Sequence, residues 1–306
     1  MKTRITLALA AVLLGLGAAG CSSSGGTTPP GAEPRPFDGV THYDEPQRVA
    51  LHDAEEGLIA ACMRGRGFEY RPQPLGTGDH RVDANPYGLL TTAQATGDGF
   101  GVISTALNLK PVADPNRDHA SDQAWKDALS GTEAHRVTVD LPDGQQFFYN
   151  GDSCLSRAGD ALYGPDYYRL FNTFQVLSGK VVTGVQADGR FTAAEGRWRD
   201  CMSAAHRPAA HLGDPVDTIV QRVRQEGSDP ARTHGLIGDE LALAEASARC
   251  QSQAGLATAV TRAQTDVERT VLGSDQPLLD RLRALRREAL ARALHPTGAP
   301  TAVPSR

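Results

Sequence analysis

The chain has 306 residues, of which 40% are hydrophobic and 22% are charged, and its formal net charge is −5. This length suffices for one large domain or two of ordinary size. The mild acidity and the absence of long blocks of like charge argue against a nucleic-acid-binding surface, so no nucleic-acid partner is expected.

The first 21 residues have the organisation of a bacterial secretion signal. Lys2 and Arg4 precede an apolar run that is too short and too glycine-rich for a membrane-spanning helix. Small residues then lead into Cys21, a pattern that resembles the lipobox of bacterial lipoproteins. The resemblance implies a signal peptide at 1–20, lipidation of Cys21 with palmitate, and the lipid bilayer as a partner on the extracytoplasmic face of the cell membrane. The alternative is an ordinary cleaved signal that ends near a cysteine.

Composition divides the rest of the chain into three parts. Residues 21–43 are predicted to form a flexible tether, because a stretch rich in Ser, Gly, Thr and Pro buries too little apolar surface to offset its ordering entropy. Residues 44–294 are predicted to form a helical domain. Residues 295–306 are predicted to be a disordered tail.

Apolar residues at helical spacing predict that the domain is mainly α. The first helix is expected at 45–66, with Pro46 in its first turn and Gly67 after its end. Glu55 and Glu56 are expected on or near its outer face. Later helices are predicted at about 121–129, 154–163, 166–177, 192–206, 214–226, 239–272 and 278–294. Ser121 is the expected cap of the first of these, and the last two are expected to form a C-terminal antiparallel helical hairpin.

The stretch 135–150 has a different pattern. Val137 and Val139 alternate with polar residues, and the sequence Pro142-Asp143-Gly144 then turns the chain before Phe147-Phe148-Tyr149. This pattern predicts a small β-hairpin. The expected fold class is therefore α+β with a dominant helical part.

Four cysteines remain besides Cys21, and an even set of this kind outside the cytoplasm predicts two disulfides. Their long spacing argues against a zinc site. The sequence Glu56-Gly57-x-x-x-x-Cys62-Met63 recurs as Glu195-Gly196-x-x-x-x-Cys201-Met202, which would divide the domain into related halves, 44–190 and 191–294. Each unit is followed by another helical cysteine, so the economical pairing is Cys62–Cys154 and Cys201–Cys250. Three pairings are possible, and the sequence leaves them open.

A second resemblance extends over most of 45–254. The segments that carry it are Ala61-Cys62-Met63-x-x-x-Gly67-Phe68-x-Tyr70-x-Pro72, Ala124-Trp125-x-x-Ala128-Leu129-x-Gly131, Cys154-Leu155 and Trp198-x-x-Cys201-Met202. The chain resembles uncharacterised actinobacterial secreted or lipid-anchored proteins with repeated Cys-Met helices. The second unit departs from this pattern at His206-Arg207-Pro208. The resemblance implies an architecture and a location, and it implies no catalytic residues.

Motifs with chemical meaning are present only in incomplete form. Ser153 follows Gly151-Asp152, as in one esterase superfamily, but the later Asp-x-x-His of that family is missing, so a helix cap is expected. The acids at 114, 118 and 122 begin like a calcium loop without its glycine and final glutamate. The glycines at 97, 99 and 101 lack the strand and lysine of a phosphate loop. No catalytic, metal or cofactor site is therefore expected.

The aromatic residues between 147 and 174 are expected mostly in the core, with stacking on a glycan or peptide as the alternative. The sequence favours a non-enzymatic lipoprotein that binds a protein or a cell-wall component. The alternative is a cell-envelope hydrolase that uses Glu56 or Glu195. A solute receptor is disfavoured, because the alternating βα pattern of such proteins is absent.

Overall fold

The computed structural model describes residues 34–76, 85–109, 112–227 and 229–295. The predicted signal peptide at 1–20, the predicted lipidation site Cys21, the first part of the tether and the tail from residue 296 lie outside these ranges. The described residues all belong to one compact unit.

The described residues form twelve α-helices and one antiparallel hairpin, which confirms a mainly α fold with a small β-hairpin. None of these helices is both long and apolar enough to cross a membrane. The helices are α1 (Glu45–Gly65), α2 (Thr92–Gly97), α3 (Val102–Asn108), α4 (Gln123–Ser130), α5 (Cys154–Tyr163), α6 (Tyr167–Ala187), α7 (Gly189–Ala204), α8 (Asp214–Glu226), α9 (Pro230–Gly235), α10 (Ile237–Ala254), α11 (Leu256–Leu272) and α12 (Gln276–Leu294), and the strands are β1 (Arg136–Asp140) and β2 (Gln146–Asn150).

Side chains at the helix starts explain several of these bounds. At α1, the Asp44 carboxylate accepts a hydrogen bond from Gln47 N at 2.9 Å, and the Gln47 side chain accepts one from Asp44 N at 3.3 Å. This reciprocal capping box fixes the start of the helix where the sequence places it. The cap predicted at Ser121 is wrong by one residue: the Asp122 carboxylate accepts from Trp125 N at 3.1 Å, so α4 begins at Gln123.

Two helices differ in length from the prediction. Helix α6 continues to Ala187, ten residues beyond the predicted end at 177. The single helix predicted at 239–272 is divided into α10 and α11 at Gly255, which has a φ of 67°. Glycine adopts this left-handed conformation without the steric penalty of a Cβ, and it ends α10 as a C-terminal cap.

The C-terminal helices follow each other through a short turn, as predicted, but they pack mainly on other helices. Helix α11 lies against α6 and α7, whereas α12 lies against α1, α5 and α6. Each of the two helices therefore buries its apolar face in a different part of the core.

Helix α6 runs through the main hydrophobic core. Its residues Leu170, Phe174, Val181 and Val185 are fully buried. Their spacings of four, seven and four residues place them on one helix face, which explains how a single element can contact α7, α11 and α12. A second cluster forms where the C-terminal half of α1 meets α4 and α5, and it is built from Ile59, Ala60, Met63, Tyr70, Trp125, Ala128, Cys154 and Ala158.

The two disulfides have the predicted pairing. Cys62 is bonded to Cys154, with their Cα atoms 5.6 Å apart, and Cys201 is bonded to Cys250, with their Cα atoms 5.5 Å apart. The first joins α1 to the start of α5 within the second cluster, and the second joins α7 to α10. The segments that carry the sequence resemblance around residues 62, 70 and 125 therefore meet at the first disulfide.

The internal repeat has a structural counterpart in the way each helix ends. Phe68 N donates to Met63 O at 3.0 Å after α1, and Arg207 N donates to Met202 O at 2.9 Å after α7. Between these partners lies one left-handed residue in each copy, Gly67 with a φ of 84° and His206 with a φ of 56°. The two helices thus end in the same motif, in which the second copy has a histidine at the glycine position.

The match continues into the segment after each helix. Glu56 Oε2 accepts a hydrogen bond from Gln73 N at 2.7 Å, and Glu195 Oε1 accepts one from Leu212 N at 3.4 Å. The sequence separation is 17 residues in both cases. The repeated glutamate therefore holds the chain that leaves its own helix.

The left-handed position gives a paired stability prediction. We expect His206→Gly to raise the free energy of unfolding by about 0.5–1 kcal/mol, because it removes the strain of a left-handed non-glycine residue. The greater entropy that glycine gives the unfolded chain offsets part of this gain. His206 is exposed, so little packing is lost. In the matched change Gly67→Ala, the new Cβ would have no neighbouring atom within 4 Å, and the left-handed backbone should lower the free energy of unfolding by about 1 kcal/mol. Urea unfolding of both variants measures this, and equal signs for the two changes would contradict the shared motif.

The end of the predicted tether is packed on the domain rather than free. Phe37 and Val40 are each 2% exposed, and the Phe37 ring meets Phe174 edge-on at 5.4 Å. Phe37 N donates to Glu268 Oε1 at 2.8 Å, and Asp38 pairs with Arg283 at 2.7 Å. The tether prediction is therefore wrong for residues 36–43, because Phe37 and Val40 are buried in the core and polar contacts hold the segment to α11 and α12.

Candidate functional site

The β-hairpin presents one apolar face to the helices. Residues Val137 and Tyr149 are directly opposed in the register, as are Val139 and Phe147. Side chains alternate between the two faces of a strand, so these four lie on the same face. The hairpin was predicted at this place, and Gly144 in its turn has a φ of 81°.

A groove of about 540 Å³ lies between this face and helices α5 and α6. Its lining combines the hairpin face with side chains from the helices. The helix side and the connecting turn contribute Glu55, Leu155, Ser156, Asp160, Pro165, Asp166, Tyr168, Arg169 and Asn172. Lys180 Nζ donates to Pro142 O at 3.3 Å and so ties the turn of the hairpin to α6.

Glu55 lies in the groove with its carboxylate between two phenols. Oε1 accepts a hydrogen bond from Tyr168 OH at 2.9 Å, and Oε2 accepts one from Tyr163 OH at 3.2 Å. Burial raises the pKa of Glu55 above its ordinary value, and the two phenol donors oppose this rise. The prediction that Glu55 and Glu56 lie on or near the outer face of α1 is wrong. Tyr163 and Tyr168, which are distant in sequence, bond to Glu55, and Tyr70 in the arm after α1 bonds to Glu56.

Gly159 explains how Tyr168 reaches this position. A Cβ at Gly159 would lie 2.8 Å from the Tyr168 hydroxyl oxygen, and closer still to the ring. The ring therefore packs directly on the backbone of α5 and points its hydroxyl at Glu55. Tyr163 and Tyr167 stack beside it with ring centroids 4.4 Å apart.

The pH dependence of stability tests the burial of Glu55. Its folded pKa is raised above the ordinary value of 4.5, so the carboxylate is disfavoured in the folded state. The contribution of Glu55 to the free energy of unfolding is thus greatest below about pH 4.5 and is lost as the pH rises through the folded pKa. We expect Glu55→Gln to gain stability relative to the wild type as the pH rises through this window.

Urea titrations between pH 4 and 8 measure the difference between the two proteins. The exposed Glu245 supplies the control, since Glu245→Gln makes the same substitution at the surface outside the groove and should not reproduce the gain seen for Glu55→Gln. A constant difference for Glu55→Gln would show that its carboxyl group titrates alike in the folded and unfolded chains.

The aromatic residues between 147 and 174 divide between the core and the groove. Tyr163, Tyr167 and Phe174 are buried, as expected for core residues. Phe147 and Tyr149 instead line the groove, and Phe148 on the opposite face of β2 is 59% exposed. The core expectation is therefore confirmed for Tyr163, Tyr167 and Phe174, and stacking on a glycan or peptide stays a prediction for the residues in the groove.

Ser153 has the structural role that its position predicts. It is buried, and its Oγ accepts a hydrogen bond from Ser156 N at 2.8 Å and lies 2.8 Å from Ser156 Oγ, so it caps α5. His135 lies 3.2 Å from Asp152, and no described histidine bonds to Ser153. These contacts do not form a nucleophile and its base.

The acids of the calcium-like stretch have separate partners. Asp114 accepts from the Gln73 side chain at 2.7 Å and from Asn116 N at 2.8 Å. Asp118 pairs with Arg71 at 3.2 Å, and Asp122 caps α4. Within the described ranges, no group of three or more His, Cys, Asp or Glu side chains could hold a metal ion.

The glycine-rich loop at 97–101 does surround an anion, but that anion is a side chain of the protein. The buried Glu240 carboxylate accepts hydrogen bonds from the backbone N–H groups of Phe100, Val102 and Ile103 at 3.1, 2.8 and 3.1 Å. Gly99 has a φ of 66°, and a Cβ there would lie 2.7 Å from Glu240 Cγ. The loop thus needs its glycine to enclose an internal carboxylate at the start of α3.

The two glutamates of the repeat have separate local partners. Glu56 is 9% exposed and bonds to Tyr70 OH at 2.9 Å in addition to Gln73 N. Glu195, on α7, accepts from Leu212 N, and His211 Nδ1 lies 3.8 Å from its Oε1. Each carboxylate is therefore engaged by the chain that follows its own helix.

The acidic residues of the groove carried no motif that sequence analysis could detect. Glu55, Asp160 and Asp166 come from three different elements, and only the density of aromatic residues nearby marked the region. No protein-family model matches the chain, and neither the curated proteins nor the solved structures contain a match.

Proposed function

We propose that this protein is a lipid-anchored binding module on the outer side of the cell membrane and that its ligand binds in the groove beneath the hairpin. The observation that carries the proposal is the apolar hairpin face, which borders an open space instead of a packed core. A two-stranded hairpin is marginally stable by itself, and bound ligand would cover its exposed face. Val137 on this face is 38% exposed.

The dimensions and lining of the groove suit a small ligand. Its volume of about 540 Å³ lies within the range of small-molecule sites. Apolar and aromatic side chains make up the hairpin wall, while the helix wall adds a few polar groups that could orient a ligand.

A dye-binding experiment tests the groove. Every contact described above lies within residues 34–295, so the chain from Ser22 onward retains them all. We expect it to bind N-phenyl-1-naphthylamine, a neutral apolar dye, and expect Val139→Asp to abolish the fluorescence gain. Thr138→Asp places the same charge on the opposite face of β1 and should leave binding intact. Equal dye binding by the two variants would overturn the assignment of the groove.

The location rests on the first 21 residues and on the two disulfides, since disulfides persist in oxidising compartments. Metabolic labelling with an alkyne analogue of palmitate tests it in a bacterial lipoprotein-processing host. The full chain should label, and Cys21→Ser should not. Label retained by the Cys21→Ser chain would overturn the lipid anchor.

The second candidate function is a cell-envelope hydrolase. The groove favours it through one observation: burial raises the pKa of both Glu55 and Asp160, as general acids require. Turnover of a cell-wall glycan or ester by the chain from Ser22 onward, lost in Glu55→Gln, would establish this function in place of simple binding.

A further inference from the structure

The side chains that line the groove carry an excess of negative charge. Three carboxylates line it, those of Glu55, Asp160 and Asp166, together with one guanidinium, that of Arg169. Arg169 Nη2 lies 3.3 Å from Asp166 Oδ1, so these two charges compensate each other. Two carboxylates remain without a cationic partner among the groove residues.

These two carboxylates have different surroundings, and both interact with Tyr168. Glu55 accepts hydrogen bonds from neutral phenols only. The Asp160 side chain is exposed at the mouth of the groove and has no hydrogen bond or ion pair within the described part of the chain, and partial desolvation raises its pKa. Both carboxylates raise the pKa of the Tyr168 phenol through their charge, and both line the groove together with that residue.

The same groove offers aromatic faces. Phe147 and Tyr149 stack with their ring centroids 6.2 Å apart on the hairpin wall, and Tyr168 lies on the helix wall. Aromatic faces attract cations, most strongly where water is excluded. The outer side of the hairpin already shows this contact, since the Arg136 guanidinium lies 3.6 Å from the centre of the Phe148 ring.

We propose that the ligand of the groove is a small organic cation, with an ammonium group beside Glu55 and Asp160 and an alkyl or aryl body against Val137, Val139 and Phe147. The inference rests on the proposed binding function and names its ligand class. The unpaired carboxylates favour a cationic group on the ligand, and the apolar hairpin face favours an alkyl or aryl group attached to it. The volume of the groove selects a small molecule over a folded partner.

Three probes with one aromatic body separate charge from apolar contact. Phenethylammonium, the neutral phenethyl alcohol and the anionic 3-phenylpropionate are titrated by calorimetry into the chain from Ser22 onward at pH 7. We expect the ammonium to bind about tenfold more tightly than the alcohol, because it adds one ion pair and a cation–π contact, and the anion to bind most weakly.

Variants place the effect in the groove. Asp160→Asn and Glu55→Gln should each weaken ammonium binding by about fivefold or more while leaving alcohol binding unchanged. Asp200→Asn is the matched control, because Asp200 is an exposed acid on α7 outside the groove lining, and it should alter neither affinity.

The outcomes distinguish this inference from the function beneath it. Equal affinity for all three probes, or no effect of Asp160→Asn, would overturn the proposal that the ligand is a cation. The dye experiment could still support a binding groove in that case. Absence of both dye and probe binding would overturn both proposals. A lysine peptide that binds more than tenfold more tightly than phenethylammonium would overturn the small-molecule class and indicate a protein ligand.

Discussion

Replacing Cys62 and Cys154 by alanine is expected to lower the free energy of unfolding by about 4 kcal/mol. The bond closes a loop of 92 residues, and chain-entropy arguments give about 4–5 kcal/mol as an upper figure for a loop of this length. Cys154 is fully buried within the second cluster, so the alanines also leave a small packing defect. Urea unfolding of oxidised protein measures the loss.

The second disulfide and the reduced protein serve as comparisons. The Cys201–Cys250 bond closes 49 residues, so the corresponding double alanine variant should lose about 0.5 kcal/mol less on entropic grounds. Reduced wild-type protein should lose about as much as the two double variants together if the sites act independently. A loss below about 1 kcal/mol for the Cys62 and Cys154 double variant would contradict the expected net stabilisation by this bond.

The second large effect concerns the end of the predicted tether. Phe37→Ala is expected to cost about 3–5 kcal/mol, because it empties a buried aromatic site beside Phe174 and exposes apolar surface of the core. It also loosens the segment that brings Phe37 N to Glu268 and Asp38 to Arg283. Thermal and urea unfolding of the chain from Ser22 onward measure the change.

Phe148→Ala is the matched control for this substitution. It removes the same side chain from a position that is 59% exposed, where only the Arg136 contact is lost, and it should cost about 0.5–1 kcal/mol. A similar cost for the two variants would mean that Phe37 is not part of the core in solution.

Local patterns predicted much of the fold. The start of α1 followed from Pro46 and the residues around it, and the hairpin followed from the alternation before Pro142-Asp143-Gly144. The repeated Cys-Met units favoured the observed disulfide pairing among the three that were possible. These features depend on neighbouring residues or on spacing along the chain, which a sequence displays directly.

Features set by distant contacts could not be predicted in the same way. Glu55 turns inward because Tyr163 and Tyr168 reach it from more than 100 residues away. The docking of residues 36–43 depends on pockets formed by α6, α11 and α12, and composition alone described the segment as too polar to fold. The break at Gly255 was not predicted, because the apolar pattern on either side of this glycine indicated one continuous helix.

The disulfides also determine how far the chain can be stretched. The loops of 92 and 49 residues do not overlap, and neither can lengthen under a pulling force while its bond is intact. At about 3.5 Å per extended residue, the 141 residues in the two loops correspond to about 490 Å of contour length that cannot extend while the bonds are intact. A protein pulled from its two ends would therefore reach its limit at roughly half the extension of the reduced chain, so that oxidation shortens the distance over which mechanical load can separate its ends.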